Sequence, residues 1–214
     1  MDVRPIALVV TAVAQGCLLV AVEIGFRRGL GPETTRQIAH AAGAASVAVL
    51  PLFLRLSEFV VLAAFFTALL AWTRSRHLLD SVHGIHRVTV GALVFPAGLL
   101  LAVLLGWNHP AAIAYAALVL AAADPMAALA GRNLHGVGWL VIGGQKTLAG
   151  SVAFVAVTVA IGVLMGVGVG DVRLPAAVGA AVVLALLEGS LGYGLDNVTV
   201  PAVASLLGVA WLGL

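Results

Sequence analysis

Residues 148–168 read Leu-Ala-Gly-Ser-Val-Ala-Phe-Val-Ala-Val-Thr-Val-Ala-Ile-Gly-Val-Leu-Met-Gly-Val-Gly, without one charged side chain. A helix needs ~20 apolar residues to cross the hydrocarbon core of a bilayer, and this stretch supplies them. Similar runs, bounded by charges or turn residues, lie on both sides of it: 5–25, 37–54, 57–73, 88–105, 111–130, 174–192 and 198–213. Lipid offers no partner to backbone N–H and C=O groups, so each run must close its hydrogen bonds internally as a helix. The fold class is therefore all-α. The chain reads as a polytopic integral membrane protein of about eight transmembrane helices (seven if a weak span fails), with residues 1–214 forming one domain.

Composition agrees. Of 214 residues, 62% are hydrophobic and 9% charged, and mean hydropathy is +1.15. A soluble domain averages about 45–50% apolar and about 25% charged. A water-soluble globular enzyme, a disordered chain and a nucleic-acid binder are excluded, and the bilayer is the first partner. The lone cysteine, Cys17, cannot form an intrachain disulfide. The first run passes directly into Phe26-Arg27-Arg28 with no cleavage pattern, which reads as a span rather than a signal peptide. Gly162 and Gly166 form a small-xxx-small pair, a device for close helix packing.

Eight spans distribute the loops alternately. One side receives Arg27, Arg28, Arg36, Arg74, Arg76, Arg87, Arg132 and Lys146; the other receives Arg4, Arg55 and Arg173. The excess of basic residues marks the first side as cytoplasmic and leaves both termini outside.

Ionisable residues inside spans cost a few kcal/mol each, so each is a functional candidate. Asp124 sits deep in the fifth run beside Pro125, which removes a backbone donor and bends the helix. An acid at such a break suggests a polar cavity; the alternative is a structural hydrogen-bond acceptor. Glu188 lies near the cytoplasmic end of the seventh run. Asp196 and Asn197 follow the turn Gly192-Tyr193-Gly194-Leu195, and either could instead cap the last helix. Residues 131–150 hold six glycines, Arg132 and the only lysine, Lys146. Glycine amides and these cations suit a phosphate, although the spacing is not that of a Walker A loop; a flexible, positively charged turn would look the same. Arg36 and His40 share one helix face, and Arg87 and Thr89 enter the fourth run in the same manner. His77, His83, His86 and Asp80 lack a zinc-ligand pattern and read as a polar loop. In the eight-span topology all the other candidates fall at cytoplasmic ends. Acids beside bases on one face suit a metal-nucleotide: carboxylates hold Mg²⁺, while Arg and Lys take phosphate oxygens.

The run Asp124-Pro125-x-Ala127-Ala128-x-x-Gly131-Arg132 … Gly136 … Lys146-Thr147-x-x-Gly150-Ser151 resembles the CTP-dependent polyprenol kinases: dolichol, phytol and farnesol kinases, with the related yeast-type diacylglycerol kinase. The similarity extends to Arg36-x-x-x-His40, to Arg87-x-Thr89-x-Gly91, and to Glu188 followed by Asp196-Asn197-x-Thr199-x-Pro201. These motifs stand in family order over roughly residues 23 to 205. The resemblance implies transfer of the γ-phosphate of CTP to the hydroxyl of a membrane lipid alcohol. It implies Asp124, Lys146 and Glu188 as catalytic residues, with Mg²⁺ on Asp124, Glu188 and Asp196. The nucleotide would be bound by Gly131, Arg132, Gly136, Lys146, Thr147, Gly150, Ser151 and Asn197. Arg36, His40, Arg87 and Thr89 would close the pocket, on the cytoplasmic face of a bacterial-type inner or plasma membrane. One position departs from the pattern: the family usually has Glu where this chain has Ala149. CDP-lipid cytidylyltransferases share the Asp … Gly-Arg … Lys-Thr-x-x-Gly portion but end in a signature absent here. A transporter or a non-catalytic membrane protein is the reading from another class.

The topology has a direct check. In a Cys17-free background, single cysteines at Gly138 and at Val169 are expected to react with impermeant reagents from opposite sides of the membrane. Labelling from the same side would overturn both the span count and the shared face.

Overall fold

The computed structural model describes residues 4–84, 89–134 and 136–212. Eight long helices fall on the eight apolar runs: α1 (Arg4–Arg27), α2 (Pro32–Val47), α3 (Leu56–Ser75), α4 (Gly91–Gly106), α5 (Pro110–Asn133), α6 (Leu148–Val169), α7 (Leu174–Ser190) and α8 (Asp196–Leu212). Four of them, α1, α3, α5 and α6, are long and apolar enough to cross a membrane. Helices α4, α7 and α8 are apolar but only 16 or 17 residues long. The protein is an all-α, multi-pass membrane protein. The second expected span, 37–54, is displaced: its helix starts at Pro32 and stops at Val47, before a short 3₁₀ turn at Leu50–Leu52. Pro32 sets this start, because a proline needs no N–H partner in the first turn.

A feature other than helix joins α5 to α6. Strands β1 (Gly138–Val141) and β2 (Gly144–Thr147) pair antiparallel, with Val141 opposite Gly144. Gly143 takes φ +81° in the two-residue loop, which favours glycine. The expected glycine-rich turn is thus a defined hairpin. Its signal was the apolar Trp139–Ile142 run ending in Gly143-Gly144.

Helix α5 is the centre of the molecule. Over half of its apolar window (56%) is buried, against 11% for α1, whose outward surface is apolar and suits lipid. On one side Tyr115 and Val119 of α5 pack with Phe154, Leu184, Val200 and Trp211 from α6, α7 and α8. On the other, Ile113 and Leu120 pack with Ala44, Phe59, Leu99 and Val103 from α2, α3 and α4. Helix α5 passes through a π-turn at Val119–Ala123 and resumes at Asp124. The turn accounts for Pro125: widening the coil gives room for a ring that would otherwise strike the carbonyl of Ala121. The expected interruption at Asp124-Pro125 is therefore a bulge within one continuous helix.

Lipid tails are as apolar as leucine, so helices in a membrane associate through close packing rather than hydrophobic burial. Helices α4 and α8 show this most strongly. A Cβ on Gly98 would lie 2.0 Å from the Asn197 carbonyl oxygen and 2.8 Å from the Val198 Cα. That carbonyl gains nothing from Pro201, four residues on, which has no N–H to donate. Ser205 Oγ donates to the Ala102 carbonyl (2.7 Å) further along the same seam. Replacing Gly98 with Ala should force α4 from α8 and cost about 1–3 kcal/mol, the usual range for overpacking. Gly179→Ala on α7, where a Cβ meets nothing within 4 Å, is the control. Thermal unfolding in detergent should show a clear drop for Gly98→Ala only, and equal midpoints would refute the packing assignment.

Candidate active site

A polar cavity of about 380 Å³ opens where α2, α5, α6, α7, α8 and the hairpin meet. Each element delivers its polar side chain for a local reason. Asp124 is the first residue after the π-turn. Glu188 lies two residues before the end of α7, and Asp196 opens α8. Lys146 comes from β2, just before α6. The hairpin is fixed over this end of the bundle by Trp139, whose Nε1 donates to the Gly189 carbonyl (2.7 Å).

Carboxylate oxygens of Asp124, Glu188 and Asp196 all lie within 4.8 Å of one another. Lys146 Nζ donates to Glu188 Oε1 (2.5 Å) and to Asp196 Oδ2 (3.0 Å). Burial disfavours the charged ammonium, but Asp196 and Glu188 outweigh it and hold Lys146 above the ordinary lysine value. Lys146 therefore stays cationic through the neutral range. Among the described residues, these three acids form the one cluster able to hold a metal ion. The described histidines make no such group; His83 Nε2 pairs instead with Thr73 Oγ1 (3.1 Å). His86 lies outside the described residues.

The rim is basic. Arg36 Nη2 donates to Glu33 Oε1 (2.7 Å), and Arg132 Nη1 lies 3.5 Å from the same oxygen. Arg132 Nη2 also donates to Gln37 Oε1 (3.1 Å). Glu33 thus steers two guanidinium groups at the cavity mouth. It was not a sequence candidate, although its place three residues before Arg36 was visible. Gln145, Tyr193 and Gly194 also line the cavity without having been expected.

Most of the expected residues converge here. Arg36, Thr89, Asp124, Gly131, Arg132, Lys146, Thr147, Gly150, Ser151, Glu188, Asp196 and Asn197 all line the cavity. Some do so for structural reasons. Thr147 caps α6, its Oγ1 accepting from the Gly150 N–H (3.1 Å). Gly131 and Gly150 are where α5 and α6 touch: a Cβ on Gly131 would lie 2.7 Å from Thr147 Oγ1, and one on Gly150 2.9 Å from the Ala127 carbonyl oxygen. Thr89 Oγ1 donates to the Tyr193 carbonyl (3.1 Å), and Asn197 Nδ2 to the Gly91 carbonyl (3.1 Å). These two bonds tie the start of α4 to the α7–α8 turn. Gly136 is exposed and does not line the cavity. Arg87 lies outside the described residues.

His40 stands one layer deeper. Its Nε2 is 3.5 Å from Asp124 Oδ2, and its ring lies tilted against Phe95 at 4.6 Å. That nitrogen is buried and has no hydrogen-bond partner among the described residues.

No family model and no solved structure matches the chain. Over 216 residues it is 30% identical to a phytol kinase of Synechocystis sp., covering 97% of this chain and 91% of that protein. An alignment end to end at this identity joins proteins of one family. The chain belongs to the family of polyprenol and phytol kinases.

Proposed function

We propose that this protein is a lipid-alcohol kinase that transfers the γ-phosphate of CTP to the hydroxyl of a membrane isoprenoid alcohol. The observation that carries the reading is the convergence of Asp124, Glu188, Asp196 and Lys146 at one cavity of a chain related to a phytol kinase. The basic excess of the loops supports a cytoplasmic position for this cavity, on the side where nucleotide is available.

The donor set fits Mg²⁺. Three hard carboxylate oxygens within 4.8 Å suit a hard cation, and one ammonium alone leaves the cluster with net negative charge. Asp124, Glu188 and Asp196 would hold the ion, which when bound supplies charge neutralisation at the phosphates. Lys146 has a flexible stem and a point charge that can turn from the acids to a terminal phosphate. Arg36 and Arg132 at the rim take further phosphate oxygens. The acceptor oxygen attacks the γ-phosphorus, the bond from that phosphorus to the bridging oxygen breaks, and CDP leaves. Asp124, closest to His40 and the interior, accepts the hydroxyl proton. Phosphoryl transfer needs mainly positioning and charge neutralisation, and this site is built of those two. Ala149, where the family usually has Glu, is not among the lining residues. Three other acids complete the cluster without it.

Purified protein given Mg²⁺, γ-labelled CTP and a panel of alcohols should yield a labelled lipid monophosphate and CDP. A CMP-bearing lipid with pyrophosphate would establish a cytidylyltransferase instead. Asp124→Asn should reduce turnover by about 10²–10⁴-fold, the usual worth of a proton-transfer group, while the protein remains folded. Lys146→Ala should mainly raise KM for the nucleotide. Ala149→Glu should not reduce activity. Near-normal turnover by Asp124→Asn would move the acid role to Glu188 or Asp196.

A further inference from the structure

A second cavity lies beneath the first, between α1, α2, α3 and α4. Its walls are almost wholly apolar. On α2 they follow one stripe: Arg36, Ala39, His40, Gly43, Ser46 and Val47. At 1.5 Å per residue this stripe runs about 16 Å into the bundle. Helix α3 contributes Leu70 near the polar end, then Phe66, Ala63, Leu62 and Phe59 with increasing depth. At the deep end Gln15 Nε2 on α1 donates to Ser46 Oγ on α2 (2.7 Å), bridging the two helices.

The two cavities share walls. Arg36 and Asn197 line both. His40 lines the apolar one, while its unpartnered Nε2 points to within 3.5 Å of Asp124 in the polar one. A buried nitrogen without a hydrogen bond is costly. A hydroxyl placed between His40 and Asp124 would satisfy it, with the attached tail in the apolar cavity that His40 lines.

We propose that this cavity is the acceptor site, and that it takes one isoprenoid chain of limited length with its hydroxyl at His40. The inference rests on the kinase reading for its chemistry, but its geometry stands apart from it. The cavity runs about 16 Å along α2 between four helices, a shape for one chain rather than two. One chain of geranylgeraniol or phytol length suits such a space. The two chains of diacylglycerol and the long tail of undecaprenol exceed it. The bridge from Gln15 to Ser46 and the side chains of Leu50 and Phe59 set the length limit.

Two measurements test this. The first is photolabelling with geranylgeraniol bearing a diazirine at its tail end, without nucleotide, followed by peptide mapping. Label is expected on α1 and α3 around Gln15 and Ala63, and unlabelled geranylgeraniol should compete it away. Label confined to outward helix faces, and not competed, would overturn the proposal. The second is Ala63→Phe, which fills the deep end. It should lower kcat/KM for geranylgeraniol at least tenfold relative to geraniol, with KM for CTP unchanged; retained turnover of geraniol shows that the variant is folded. An unchanged ratio between the two alcohols would overturn the proposal. If wild-type protein labels in the cavity yet phosphorylates no alcohol, the cavity assignment stands and the kinase reading falls.

Discussion

Three carboxylates with oxygens within 4.8 Å, at the end of an apolar bundle, repel one another. Something cationic must sit among them. In this structure it is the Lys146 ammonium, bonded to two of the three. Much of the fold serves that contact. The hairpin carries Lys146 to the acids, Trp139 holds the hairpin to the end of α7, and Thr147 starts α6 immediately after it. A single lysine in the whole chain thus ties β2 to α7 and α8. In the proposed reaction a divalent cation would take over the acids and release the lysine for a phosphate.

Helix α5 joins this polar end to the apolar interior. Its π-turn places Asp124 beside His40 of α2, and the buried ring of His40 reaches the cavity below. The polar cavity collects Arg and Lys side chains suited to phosphate, and the apolar one collects aliphatic side chains. The two meet at Arg36, His40 and Asn197. A reaction between a water-soluble nucleotide and a membrane alcohol needs such a junction, since each reactant must be held in its own solvent while the reacting oxygens approach.

The helices and most of the site were legible in the sequence because a bilayer permits few alternatives. An uninterrupted run such as 148–168 has no stable form but a helix. An acid such as Asp124 in such a run stands out by its cost. Helix ends were less legible: Pro32 starts α2 five residues before the apolar run does. The hairpin was hidden by its six-glycine context, although Trp139–Ile142 followed by Gly143-Gly144 carried a strand-and-turn pattern. Gly131 and Gly150 looked like phosphate-binding glycines, and their close backbone contacts show that they also let α5 and α6 touch. Glu33 was missed because its value lies in two arginines, one of them distant in sequence. The apolar cavity could not be read at all. Its walls are ordinary Leu, Phe and Ala residues, and a space is defined by what fails to fill it.

The three acids are the centre of the proposed chemistry, so metal binding tests it most directly. Mn²⁺ can replace Mg²⁺ at carboxylate sites and is detected by electron paramagnetic resonance. Titrated into detergent-purified protein with CTP present, Mn²⁺ should bind at a single site. That affinity should fall at least tenfold in Glu188→Gln and in Asp196→Asn, and remain unchanged in a control such as Asp171→Asn at the opposite end of the bundle. Equal Mn²⁺ affinity in all four proteins would contradict a metal-nucleotide site at these carboxylates.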